Sequence, residues 1–210
     1  MAVLSREEFD AIEFDAAFSG DHRAAAERMI GLARTGTQTD AMPRAEAWLR
    51  AGDQWLLADD APAAASAFQM AIADGGTASV DPRVPLARAL FQLGEADDAR
   101  ALIATLRAEG RSDPRACDLV AELLVEYNDP RGALDWATAG VELCLRGAGR
   151  EGERAPGTEP LPGRRLASVP SHRQRSDDEN ELRMLLSLRY RIRNDLGLPE
   201  DRYDEMLDEI

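Results

Sequence analysis

Few residues in this chain could carry reaction chemistry. There are two histidines, His22 at an expected turn and His172 in an arginine-rich stretch, and all 25 Lys and Arg positions are Arg. Without lysine there can be no Walker phosphate loop, no Schiff base and no lysine base. Cys117 and Cys144 stand 27 positions apart with no histidine near either. A zinc site wants Cys and His clustered at short spacing, so these two read as core thiols of a reducing compartment. The acidic pairs Asp59-Asp60, Asp97-Asp98 and Asp177-Asp178 fall where turns and helix starts are expected, and capping and the helix dipole account for them there. The sequence therefore offers no catalytic residue, no metal ligand set and no cofactor site, and the protein is expected not to be an enzyme. What remains is recognition by arginines, carboxylates and apolar side chains.

Recognition needs a scaffold, and the spacing of small and apolar residues supplies one. From Trp48 to Trp55 they recur at i, i+3, i+4 and i+7, one face of a helix, with Ala51 and Gly52 letting a second backbone approach closely. That second helix reads Ala61 to Ala73, with Asp60 as N-cap, Pro62 in its first turn, and Ala64, Phe68 and Ala71 pointing back at the first. Similar positions recur about 34 residues on. Ala87, Leu90, Gly94, Ala99, Ile103 and Leu106 mark a pair over 81–109, and Ala121, Leu124, Ala133, Ala137 and Gly140 mark another over 113–145. Leu93-Gly94 and Asn128-Asp129-Pro130 supply turns within pairs, and Gly75-Gly76 and Gly110 supply turns between them. A degenerate pair precedes these over 5–34, with a Ser5–Glu8 capping box, a Phe9, Ile12, Ala16 stripe, and Glu13 where a small residue is wanted.

The run Trp48-x-x-Ala51-Gly52-x-x-Trp55, followed by Ala64, Phe68 and Ala71, resembles the tetratricopeptide repeat. The resemblance covers about residues 6–145. It implies an all-α, right-handed α-solenoid of antiparallel helix pairs, whose first helices line a concave groove that binds a partner. Carried onto this chain, the groove positions are Leu49, Asp53, Leu56 and Leu57 in the first clear pair; Val84, Arg88, Phe91 and Gln92 in the second; and Arg115, Asp118, Glu122, Val125 and Glu126 in the third. Phe14 and Phe18 extend the lining at the amino end. The chaperone-binding subtype clamps a terminal carboxylate with Lys, Asn and Arg, and this chain has Asp10 and Phe14 in the first two of those places.

Composition bounds the rest. The formal net charge of -14 opposes nucleic-acid binding, and no stretch approaches the roughly 18 apolar residues of a membrane span. The acidic start lacks the basic head and apolar run of a signal peptide. A lysine-free, alanine-rich composition is a pattern of high-GC bacterial genomes, and the expected location is the cytoplasm. Residues 146–175 carry seven Arg against three Glu and many Gly and Pro, which reads as a flexible linker; Arg165-Leu-Ala-Ser168 within it matches a basophilic kinase pattern. Over 176–210 helix signals return, with a Ser176–Glu179 capping box, apolar Leu182, Leu185, Leu186, Leu188 and Ile192, a Gly197–Pro199 stop, and a short helix from Glu200 to Ile210. The longer helix is expected to cap the solenoid; otherwise, with Arg189, Arg191 and Arg193, it forms a partner-binding or homodimerising surface. The tail from Arg189 to Asp204 also looks like tails of bacterial repeat proteins that carry a Cys-rich metal module, whose cysteines are absent here. The function expected is a non-catalytic adaptor or scaffold that binds a protein or peptide segment in the groove. The alternative is a regulatory sensor in which a peptide or small ligand competes for the groove with the C-terminal helix.

Overall fold

The computed structural model describes the backbone at residues 3–110, 113–152 and 172–207, and side chains at 3–110, 113–147 and 179–207. The described residues form helices joined by short turns, and the chain divides into two compact units, Met1–Arg111 and Ser112–Ile210. The all-α, pairwise construction expected from the spacing of small residues is what is found.

The first unit holds α1 (Arg6–Ser19), α2 (His22–Thr35), α3 (Arg44–Leu57), α4 (Ala61–Asp74), α5 (Arg83–Gln92) and α6 (Ala96–Glu109). Each packs on the next. Side chains set the helix starts: Ser5 accepts from the Glu8 N–H, Asp21 from the Ala24 N–H and Asp60 from the Ala63 N–H. Gly20, Gly75 and Gly110 end helices in the left-handed conformation, and Gly94 makes the α5–α6 turn with φ 80°. Trp48, Trp55, Ala64, Phe68 and Ala71 share one buried core. The Phe68 ring lies directly on Gly52, where an added Cβ would stand 2.3 Å from Cε1. The connector 36–43 is tied down. The Leu4 N–H donates to the Thr37 carbonyl at 2.8 Å, and Leu4 and Met42 are buried with the core.

The second unit holds α7 (Pro114–Glu126), α8 (Pro130–Gly152), α9 (His172–Asp195) and α10 (Arg202–Leu207). Asn128, at φ 59°, makes the α7–α8 turn, and Asp113 caps α7 at the Ala116 N–H. α9 packs on α8 and α7, and α10 folds back on α9. Leu185 and Leu186 join Val141 and Tyr203 in one core. Gly140 admits the close approach, since a Cβ there would meet Leu185 Cδ2 at 2.7 Å.

Boundaries differ from the sequence reading at two places. α8 continues to Gly152, through residues read as the start of the linker. α9 starts at His172, so Ser176 lies inside a helix and not at an N-cap. Residues 153–171, with Arg165-Leu-Ala-Ser168, lie outside the described residues.

Two of the three arginines read as a surface cluster are internal. Arg189 is 4% exposed and donates to Asp201 at 2.5 and 2.9 Å, to Asp204 at 3.1 Å and to Thr138 Oγ1 at 3.0 Å, with its guanidinium 4.7 Å from the Tyr203 ring centre. Arg193 holds Asp201 and Asp204 at 3.0 Å each and also donates to the Pro199 carbonyl. Hydrogen bonding from Arg189 is the main reason the Asp201 carboxyl sits below the usual carboxylate range. Only Arg191 of the three faces solvent.

Candidate functional site

The first unit builds one face from α1 and α3, which run the same way because α2 reverses the chain between them. Arg50 of α3 clamps the two together. It donates to Glu13 at 2.5 and 2.7 Å and to Asp10 at 2.6 Å, over the Phe9 ring. Burial opposes the Arg50 charge, but the hydrogen bonds and attraction of Glu13 and Asp10 outweigh it, and the guanidinium is held more firmly protonated than usual. Glu13 is therefore an inter-helix clamp that stands where the repeat pattern wants a small residue.

Beyond the clamp the same two stripes turn apolar. One and two turns past Asp10 on α1 come Phe14, 74% exposed, and Phe18, 90% exposed; on α3 the stripe from Arg50 passes through Asp53 to Leu57, 59% exposed. These are the three most exposed large apolar side chains among the described residues. Isolated exposed apolar residues need no explanation, but three on facing stripes of neighbouring helices make a surface suited to apolar anchors.

Asp53 is crowded by surrounding protein yet open to solvent. That crowding first, then repulsion from Glu13 and Glu46, pushes its carboxyl up to about 7, against a weaker pull from Arg50. An unfolded Asp loses its proton near pH 3.9 and the folded residue near 7, so between those values the folded state binds the proton more tightly and stability falls as pH rises. Asp53→Asn removes that slope. It should match wild type near pH 4 and exceed it at pH 8 by no more than about 1 kcal/mol, since solvent access screens the site. Urea denaturation at the two pH values checks this, and an equal difference at both would refute it.

The second unit carries a separate cleft of about 340 Å³ between α7 and α9. Asp118 and Glu122 form one wall, Arg183 and Arg191 the other, with Ser187, Met184 and Leu188 between. Burial, then Glu122, raises the Asp118 carboxyl above its ordinary value.

The positions carried over as groove lining separate by accessibility. Phe14, Phe18, Asp53, Leu57, Gln92, Arg115, Glu122 and Glu126 are exposed, and Leu56, Arg88 and Val125 are half-buried. Leu49, Val84, Phe91 and Asp118 are buried, which corrects their reading as accessible lining. Their positions lie toward the neighbouring helices: Leu49 belongs to the shared core, Leu56 packs against it, and the Phe91 ring lies 5.8 Å beneath the Arg100 guanidinium. His22 opens α2 with Nδ1 2.9 Å from Oε1 of buried Gln54, a contact between helices. Cys117 is buried and Cys144 half-buried, both as free thiols. Sequence reasoning missed Arg50 with Asp10 and Glu13, for which the signal was an acid at a small-residue position, and it missed that Arg183 and Arg191 line the cleft opposite the α7 wall.

No helix among the described residues is long and apolar enough to cross a membrane. No curated protein and no solved structure matches the chain. Residues 56–123 match the family model described as the tetratricopeptide repeat, from the last turn of α3 to within α7. The paired helices over those residues have the construction that a tetratricopeptide repeat requires.

Proposed function

We propose that the protein is a non-catalytic adaptor that binds a segment of another protein on the first helices of the pairs in its first unit, with Phe14, Phe18 and Leu57 as anchors. Tetratricopeptide repeats are in general protein-interaction modules, and the residues matching that family run from α3 to α7. The observation that carries the reading is the coincidence of the three most exposed apolar side chains with the α1–α3 face. Around them Asp10, Glu13, Glu46 and Asp53 outnumber Arg50 and Arg6, so the face favours an apolar segment with basic flanks. Cytoplasmic location in a bacterium and action without nucleic acid belong to the same proposal.

The sensor reading has weaker support. A helix that competes for a groove must leave its seat, and α9 keeps Leu185, Leu186 and Ile192 buried. Those leucines are also the ones a C-terminal homodimer would zip together. A fixed cap accounts for them better.

The test is capture of partners from the native lysate by the tagged full-length protein, beside Phe18→Ser and Leu57→Glu variants whose helical circular dichroism is unchanged. Recovery should fall about ten-fold in each, as expected for loss of an apolar anchor. Undiminished recovery by both variants would remove the α1–α3 face from the binding surface.

A further inference from the structure

The α1–α3 face presents Phe14, Phe18 and Leu57 to solvent beside an excess of carboxylates. Arg50 spends its hydrogen bonds on Asp10 and Glu13. Asp53, repelled by Glu13 and Glu46, is left with only a weaker pull from Arg50. An occupant that fits such a face brings apolar side chains, cations and few acids. In a sequence with 39 Asp and Glu, one stretch has that composition. Residues 160–176 hold no Asp or Glu, the longest such run in the sequence, and carry Arg164, Arg165, Arg173 and Arg175 around Leu161, Leu166 and Val169. The next longest acid-free runs, 61–73 and 82–94, belong largely to α4 and α5 and bury most of their apolar residues.

We infer that this stretch of a second copy of the chain occupies the α1–α3 face, with Leu166 and Val169 on Phe14, Phe18 and Leu57 and the flanking arginines toward Asp53 and Glu46. The inference rests on the adaptor reading of that face and adds what fills it when no other protein does. Arginine suits the role, because its fork pairs with carboxylates in two hydrogen bonds. α9 begins at His172, immediately after the central part of the stretch, and packs on α8 and α7. Docking within one chain would therefore require the face to end within a few residues of the α9 start, and a neighbouring copy carries no such requirement. Donor stretch and acceptor face are different parts of the sequence, so the contact is head to tail. Such contacts build rings or open chains, not closed two-fold pairs.

The test is sedimentation velocity of the full-length protein between about 5 and 200 µM, a range that reports weak association. Wild type should grow in mass with concentration, and less so at high salt, which screens the exposed charges. Phe18→Ser removes an anchor of the face, and the double variant Arg165→Glu, Leu166→Ser spoils the stretch. Each alone, with unchanged helical circular dichroism, should associate about ten-fold more weakly. Mixed in equal amounts they should form one-to-one dimers and nothing larger, since one copy keeps the stretch and the other keeps the face. A wild type that stays monomeric throughout, a stretch variant that associates like wild type, or a mixture that stays monomeric would overturn the inference; the last outcome would leave a contact within one chain or a different surface. Capture of lysate partners by the same variants separates the two proposals. Capture lost with Phe18→Ser while wild type stays monomeric would leave the adaptor reading standing and refute self-association alone.

Discussion

Replacing Arg189 with methionine should destabilise the second unit by about 3–5 kcal/mol, the usual cost of removing one member of a buried ion-pair network. The side chain of Asp204 is 5% exposed and would be left with Arg193 as its cation, while Thr138 and Asp201 would lose their Arg189 bonds. Hydrogen exchange should show the loss as faster exchange across α9 and α10. The double variant Arg189→Met, Asp204→Leu should regain much of the loss, because a buried pair replaced by apolar groups can be near neutral. A double variant as unstable as the sum of its singles would mean that the two side chains are not energetically coupled. The Asp201 carboxyl adds a sign to the pH dependence. Its folded pKa is depressed, so its stabilisation is present above the unfolded value near 3.9 and disappears as pH falls toward the folded one. The gap between wild type and Arg189→Met should therefore narrow below about pH 4.

That network explains why the C-terminal arginines were misread. Arg189, Arg191 and Arg193 at alternate positions look like a solvated basic face. Their true partners, Asp201 and Asp204, come after a helix stop at Gly197, and nothing in the local pattern says that α10 turns back onto α9. The helix pairs, by contrast, were legible because their signals are local. Gly52 under Phe68, the caps at Ser5 and Asp60, and the left-handed turns at Gly75, Gly94 and Gly110 each depend on residues a few positions apart or one short hairpin away.

The candidate site was legible in part for the same reason. The resemblance to the tetratricopeptide repeat placed Phe14, Phe18, Asp53 and Leu57 on one kind of face, and they are exposed. It could not show that Leu49, Val84 and Phe91 would be covered, because burial at those positions depends on how far a neighbouring helix leans over them. Nor could it show the α7–α9 cleft. Its two walls come from residues about sixty positions apart, and Asp118, carried over as groove lining, is buried. The α2–α3 connector holds the buried Met42, whose N–H is held by Thr39 at 3.0 Å while the Thr39 hydroxyl reaches the Leu4 carbonyl. Local apolar periodicity misses a lone residue of this sort.

Gly52→Ala should change sign with the residue at position 68. In the wild-type background the new methyl would stand 2.3 Å from the Phe68 ring, so either the ring or the α3–α4 spacing must give, at a cost of about 1–3 kcal/mol. Phe68→Ala alone should cost about 3–5 kcal/mol, because it empties a fully buried position in the core shared by Trp48 and Trp55. In that emptied site the Gly52 methyl has room, fills a little of the void, and brings the higher helix propensity of alanine, worth up to about 1 kcal/mol. Gly52→Ala is then expected to stabilise the Phe68→Ala protein while destabilising the wild type. Urea denaturation of the four proteins, followed by circular dichroism at one pH, gives the cycle. Equal effects of Gly52→Ala in both backgrounds would mean that ring and glycine are not in contact in solution, and the close pairing of α3 and α4 would need another cause.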